Sequence, residues 1–429
     1  MACRSSAETL PGLQRSDYGE LMPQRIEELD ALRGLMLVWI TCTHLPTILS
    51  TYVNQPLGFF AATEGFIFLS ALFTGRIYFR IAERDGYGVM WRKLGTRTGK
   101  LYCYQLLLLA FAFVIEAPIA ARGNTPAVHN LLDFYFAAGR TRAFIDAALM
   151  LYRPPLLDIL PIYIVLLALT PLALIVGKRF GWKYALAGGF TLWLFAQFGF
   201  RSFVYHLQGR AFGLQIPLNE MGAFDLWAWQ LWWLVGLWLG VRWAKGNLRL
   251  GWVKHMAAPA AIIAALFLLL RYAQVAGIVT FGKSGLLLDK WDFGVGRMID
   301  FTAVAVLAIR FRSTLSSLAI RPLVMLGQAS LPVFCVHLLC VFFALTIMGN
   351  DPILSGWKAI LIILASLLAL LLTAKIATTR RARAGGNRAP APKLPAPPAA
   401  GYELEAATQN VVSGSYFRFP LKSSNHASS

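Results

Sequence analysis

Residues 25–46 read R-I-E-E-L-D-A-L-R-G-L-M-L-V-W-I-T-C-T-H-L-P, a charged amphipathic approach that turns apolar at Ala31 and carries Arg33 and His44 into the apolar part. At about 100° per residue, the spacing leaves these two side chains about 20° apart around a helix and about 16 Å apart along it. They therefore share a face, and Asp30, Leu37 and Thr41 fall close to the same stripe. An ionisable group deep in an apolar segment is costly unless it faces a bundle interior or water. The polar line running from Asp30 to His44 is where chemistry is expected.

The rest of the chain supports a membrane setting. Of 429 residues, 57% are hydrophobic and 14% charged, whereas a soluble protein carries about 25% charged residues. The first two dozen residues contain no apolar core of a signal peptide, so insertion is expected to be led by the first membrane helix. Cys3, Cys42, Cys103, Cys335 and Cys340 show neither metal-type spacing nor a pairing framework; they read as small hydrophobes, and no metal site is expected. The net charge of +19 is spread among loops. That pattern points to topology and anionic membrane lipid, and away from nucleic acid.

Apolar runs of spanning length, about 20 residues each, lie near 32–51, 57–75, 101–119, 156–176, 184–202, 226–243, 256–274, 298–311, 326–347 and 357–376. The fold class expected is an all-α polytopic integral membrane protein with about ten transmembrane helices. Basic residues concentrate in alternate connections, at 76–100, 177–183, 242–255 and 310–321, while 52–56 and 349–356 have no Lys or Arg. Both termini are therefore expected in the cytoplasm. The segment 130–152 is amphipathic and too broken by charge to span, and is expected to lie in the membrane interface. Three parts follow: a disordered N-terminal segment 1–24, a membrane domain 25–377, and a basic, then Pro/Ala-rich, disordered tail 378–429.

The motif L-D-A-L-R-G at 29–34 followed by His44 resembles membrane acyltransferase family 3, whose first helix carries an Arg, ten residues, then a His. E-G-F-I-F-L-S at 64–70, D-I-L-P-I-Y at 158–163, W-Q-L-W-W-L-V-G at 229–236 and L-G-Q-A-S-L-P-V-F-C-V-H at 326–337 resemble its branch of OpgC-type glucan succinyltransferases. The resemblance implies an acyltransferase of the bacterial inner membrane. It would move a succinyl group from cytoplasmic acyl-CoA, a donor substrate and not a bound cofactor, to a hydroxyl of an osmoregulated periplasmic glucan. Two positions depart from the pattern. Ala71 stands where a Gly is usual, and Lys100 stands where the second Arg of Arg-x-x-Arg is usual after Arg97, which removes one guanidinium fork.

Acyl transfer to a hydroxyl needs a base near the acceptor proton and donors for the developing oxyanion. His44 suits the base; a buried structural histidine is the plainer reading. Glu64, in an apolar run, is the second catalytic candidate, either orienting His44 or holding an acceptor hydroxyl. Arg33, Arg97 and Lys100 are candidates for the CoA phosphates, although Arg33 could simply pair with Asp30 at i, i+3. Asp30, Asp158 and His337 are supporting candidates. Cys42 lies about 200° around the helix from His44 and faces away. Trp227, Trp229, Trp232 and Trp233 are expected to serve packing and an interfacial belt. A proton-coupled transporter using His44, Glu64 and His337 as a relay is the main rival reading. A lipid-linked glycosyltransferase ranks third, because the first outer loop, T-Y-V-N-Q-P, has no carboxylate.

Overall fold

The computed structural model describes residues 27–123, 125–213, 215–281 and 287–386, and among these the chain is helical, with one isolated bridge between Thr47 and Leu354 and no strand. The principal helices are α1 (Glu27–His44), α2 (Ala62–Asp85), α3 (Tyr87–Phe111), α4 (Ile159–Val176), α5 (Trp182–Gln197), α6 (Leu226–Ala244), α7 (Val253–Val275), α8 (Val295–Arg310), α9 (Ser330–Met348) and α10 (Gly356–Gly386).

Every expected apolar run overlaps one of these helices, yet by length and composition six stretches are long and apolar enough to cross a membrane. The expected ten is not reached on that measure, for identifiable reasons. Glu27, Glu28, Asp30 and Arg33 load α1 with charge, α6 is rich in Trp, and α8 has only 16 residues. The helices α4 and α5 count as one stretch through the π turn Gly177–Gly181, although the chain leaves helical geometry at Gly181, with φ +99° and ψ 145°. Between 126 and 148 the chain forms three short helices, none of spanning length.

Two boundaries differ from expectation. The first helix ends at His44 rather than near 51, because Pro46 cannot continue it and biases Leu45 away from helical geometry. His44 is thus the last residue of its helix, not a residue in mid-span. The last helix runs nine residues beyond 377, since the Ala, Thr, Lys and Arg of 374–384 are compatible with a helix until Gly385 and Gly386. Residues 378–386 of the expected disordered tail are therefore helical. The rest of that tail, 387–429, and the expected segment 1–24 lie outside the described residues.

Glycine lets the helices that build the site approach closely. A Cβ at Gly34 of α1 would collide with the Leu323 carbonyl, and one at Gly327 with the Asp30 carbonyl, so α1 and the short helix Arg321–Gln328 cross backbone to backbone. Between α2 and α6 the same work is done by Gly236 and Gly240. Ala71 fits there because its methyl packs onto Gly236, so its departure from the family pattern costs no closeness. By contrast, α7 and α10 expose Ile262, Leu266, Leu269, Ile360, Leu361, Leu364 and Leu368. Such large apolar faces suit lipid.

Candidate active site

The shared face of α1 is set against α9 at two levels. At the first, Arg33 Nη2 donates to Ser330 Oγ at 2.7 Å; at the second, His44 Nδ1 lies 3.3 Å from His337 Nε2. The pairings rise together along both helices, so α1 and α9 run side by side in the same direction.

Around Arg33 the arrangement is cationic. Its guanidinium sits 5.8 Å from the Phe66 ring centroid and 5.6 Å from that of Phe73, and its Nε is buried without a hydrogen-bond partner among the described residues. Arg97 is close enough for the two charges to oppose each other. It donates to Tyr163 Oη at 2.9 Å and Thr74 Oγ1 at 3.3 Å. A third guanidinium within electrostatic range of Arg33 belongs to Arg381, on the helical extension, where it donates to the Gln328 carbonyl at 2.6 Å. Asp30 is the carboxylate in range. Lys100 is exposed and makes no hydrogen bond or ion pair with this cluster among the described residues.

At the other level the two imidazoles meet edge to edge, with centroids 5.5 Å apart and planes 25° from parallel. His337 is fully buried, whereas His44 keeps part of its surface exposed. The His337 Nδ1 is 2.5 Å from the Phe334 carbonyl, and its ring meets the Phe334 ring edge-on at 4.7 Å.

Glu64 is elsewhere engaged. Completely buried at the start of α2, it accepts from Arg297 Nε at 2.9 Å and from Arg297 Nη2, and its second oxygen accepts from the Ala61 amide at 2.9 Å. One helical turn after Arg297, Asp300 accepts from the amides of Phe59 at 2.6 Å and Phe60 at 3.2 Å. Two carboxylates thus hold three consecutive main-chain amides, and Gly58 leaves room for one of them: a Cβ there would strike the Asp300 carboxylate. No hydrogen bond links Glu64 to either imidazole among the described residues, so a His44–Glu64–His337 relay is not assembled. Asp158 accepts from the Ala223 amide at 3.0 Å and ties the 222–225 turn to the start of α4.

Of the Trp group, Trp229, Trp232 and Trp233 are buried core residues rather than a belt. Their indoles donate to the Trp291 carbonyl, the Glu64 carbonyl and Thr170 Oγ1, at 3.0, 3.1 and 3.0 Å. The family model for OpgC protein matches residues 25–382. The chain belongs to the OpgC protein family. The role this family carries is that of a membrane transferase acting on glucan. No curated protein and no solved structure matches the chain. The OpgC match reaches past 377, so Arg381 and the first turn of the helical extension belong to the family domain.

Sequence reasoning passed over Arg297, Asp300 and Lys290. Arg297 and Asp300 form an i, i+3 pair at the start of α8, but the expected eighth run began at 298 and left the Arg out. Lys290 lies in a loop pinned by indole and amide donors: Trp229 to the Trp291 carbonyl, Gln197 to that of Asp292 at 2.6 Å, and Trp193 to that of Phe293 at 3.0 Å. Its ammonium is 4.9 Å from the Trp291 ring centroid, its charge reaches His44, and burial pushes its pKa down. Nothing in the local sequence marks this residue, because its neighbours are brought to it by α1, α2 and α4.

Proposed function

We propose that this chain transfers a succinyl group from cytoplasmic acyl-CoA to a hydroxyl of a periplasmic glucan, across the bacterial inner membrane, with His44 as general base and both chain termini in the cytoplasm. The observation that carries this reading is the alignment on one helix face of Arg33, the centre of a cationic cluster, with the half-buried His44 about 16 Å further along. That separation is of the order of an extended pantetheine arm. Arg33 and Arg97, with Arg381 beside them, hold the CoA phosphates through charge-assisted hydrogen bonds. The thioester then lies near His44.

In the transfer, the acceptor oxygen attacks the thioester carbonyl carbon while His44 takes the hydroxyl proton. The tetrahedral intermediate then breaks its C–S bond, the ester stays on the sugar, and the departing sulfur receives the proton back from His44. The end of α1 helps, because the negative pole of a helix stabilises the imidazolium formed on the way. For the free carboxylate of a succinyl group, Lys290 supplies a cation near His44 that makes no hydrogen bond or ion pair among the described residues.

Mass spectrometry of periplasmic glucans from cells with and without the protein tests the reading. Anionic ester substituents should appear only with the intact chain. In a His44→Ala variant inserted at normal levels they should fall by about 10²-fold or more. Glucans unchanged by loss of the protein would overturn it.

A further inference from the structure

We infer that His337 is a positioning residue that fixes the tautomer of His44, holding its proton on Nδ1 and leaving Nε2 bare to take the acceptor's proton; this rests on the reading of His44 as the base. The argument begins at a carbonyl. The Phe334 oxygen can only accept, so the His337 Nδ1 that lies 2.5 Å from it carries a hydrogen. His337 has no exposed surface, and no carboxylate is hydrogen-bonded to it among the described residues, so a second proton would leave an uncompensated buried charge. The ring is neutral, and its Nε2 is therefore a lone-pair acceptor.

That assignment dictates the next one. The His44 Nδ1, 3.3 Å away, faces an acceptor and must be the donor. In neutral His44 the remaining nitrogen, Nε2, is then unprotonated. His337 is itself fixed by its own helix, through the Phe334 carbonyl and the edge-on contact with the Phe334 ring. The chain of assignments thus starts at a main-chain atom of α9 and ends at the base on α1. When His44 becomes an imidazolium, its Nδ1–H bond to His337 is strengthened by the charge. His337 so contributes to the charged state without touching substrate.

The test separates this inference from the assignment of His44 as base. Nitrogen-15 NMR of histidine-labelled protein in nanodiscs, at neutral pH, should show His44 protonated on Nδ1 and bare on Nε2, and His337 likewise. The opposite tautomer at His44 would overturn the inference whatever the activity. Turnover is then compared for His337→Gln and His337→Leu at matched levels of folded protein. Gln offers an accepting oxygen near the position of Nε2 and should keep turnover within about tenfold of the native rate. Leu should lower kcat by about 10²-fold with little change in the KM for acyl-CoA. A purely structural role for His337 predicts the reverse order, because a buried site tolerates Leu better than an unsatisfied amide. Equal loss in both variants, or full turnover with Leu, would also overturn the inference. Native turnover in His44→Ala, with the unsubstituted protein showing the expected NMR pattern, would sink the proposed function and leave the tautomer assignment standing.

Discussion

Two ionic clusters among the described residues, one buried around Glu64 and one half-buried around Arg33, are built on opposite principles. Around Glu64 the charges are matched: Arg297 lies between the carboxylates of Glu64 and Asp300, the Lys290 ammonium is in electrostatic range of Glu64 as a second cation, and the two carboxylates are occupied with the amides of residues 59–61. Around Arg33 they are not. Arg97 and Arg381 each lie within electrostatic range of Arg33, with Asp30 as the carboxylate in range, and the hydrogen bonds of the three guanidiniums go to hydroxyl groups and a carbonyl. A matched cluster in an apolar interior holds structure together, whereas an excess of one sign is tolerable where an opposite charge is to arrive. Glu64 and Arg33 are both ionisable groups in apolar helices, and it is their partners that differ.

The sharpest way to break this comparison is to cut the matched cluster. Arg297→Ala leaves Glu64 buried and unpaired and should cost about 3–5 kcal/mol of stability, seen as lost folded yield and a lower Tm in detergent. Replacing both partners with apolar residues, Glu64→Leu together with Arg297→Met, should recover most of that loss. If the recovered double variant also turns over, Glu64 is a clamp. Recovered stability without turnover would return Glu64 to the chemistry.

At the unmatched cluster the signature is inverted. Arg33→Gln should leave Tm within a degree or two and raise the KM for acyl-CoA by about 10- to 100-fold, since a charged hydrogen bond to phosphate is worth about 1.5–3 kcal/mol. The exposed Lys100, expected as a phosphate ligand but bonded to none of the cluster, serves as the comparison; Lys100→Ala should shift KM by less than about twofold. A larger effect at Lys100 than at Arg33 would place the donor on the protein surface instead of against α1.

How much of this could be read from the sequence depends on whether the information was local. The face shared by Arg33 and His44 follows from helical periodicity, and it survives in the structure as two contacts with α9. The helix ends are marked by Pro46 and by the Gly pair at 385–386, whereas apolar content alone runs past the first and stops short of the second. What the sequence hid was long-range pairing. Glu64 and Arg297 are 233 residues apart, and His44 and His337 are 293. Gly34 and Gly327, each inside a recognised motif, turn out to be the two sides of one helix crossing. Those two motifs therefore carry a helix crossing, which is a packing reason for their glycines.

The smallest effect expected lies on the flank of the matched cluster, in the loop that carries Lys290. Asp292 is pushed up to about 6, first by burial and then by the carboxylates of Asp289 and Asp225, with Arg201 opposing. Its unfolded value is about 3.9. Between those two values the folded state holds more proton than the unfolded one, so stability falls as pH rises from about 4 to about 6 and is flat above. Asp292→Asn should therefore raise Tm at pH 7–8 and leave it unchanged near pH 4. Because the side chain is partly solvated, screening reduces the gain to about 1 kcal/mol or less. A gain of the same size at both pH values would mean that Asn helps by hydrogen bonding alone. The like-charge strain in this loop would then not set a cost for presenting Lys290 beside His44.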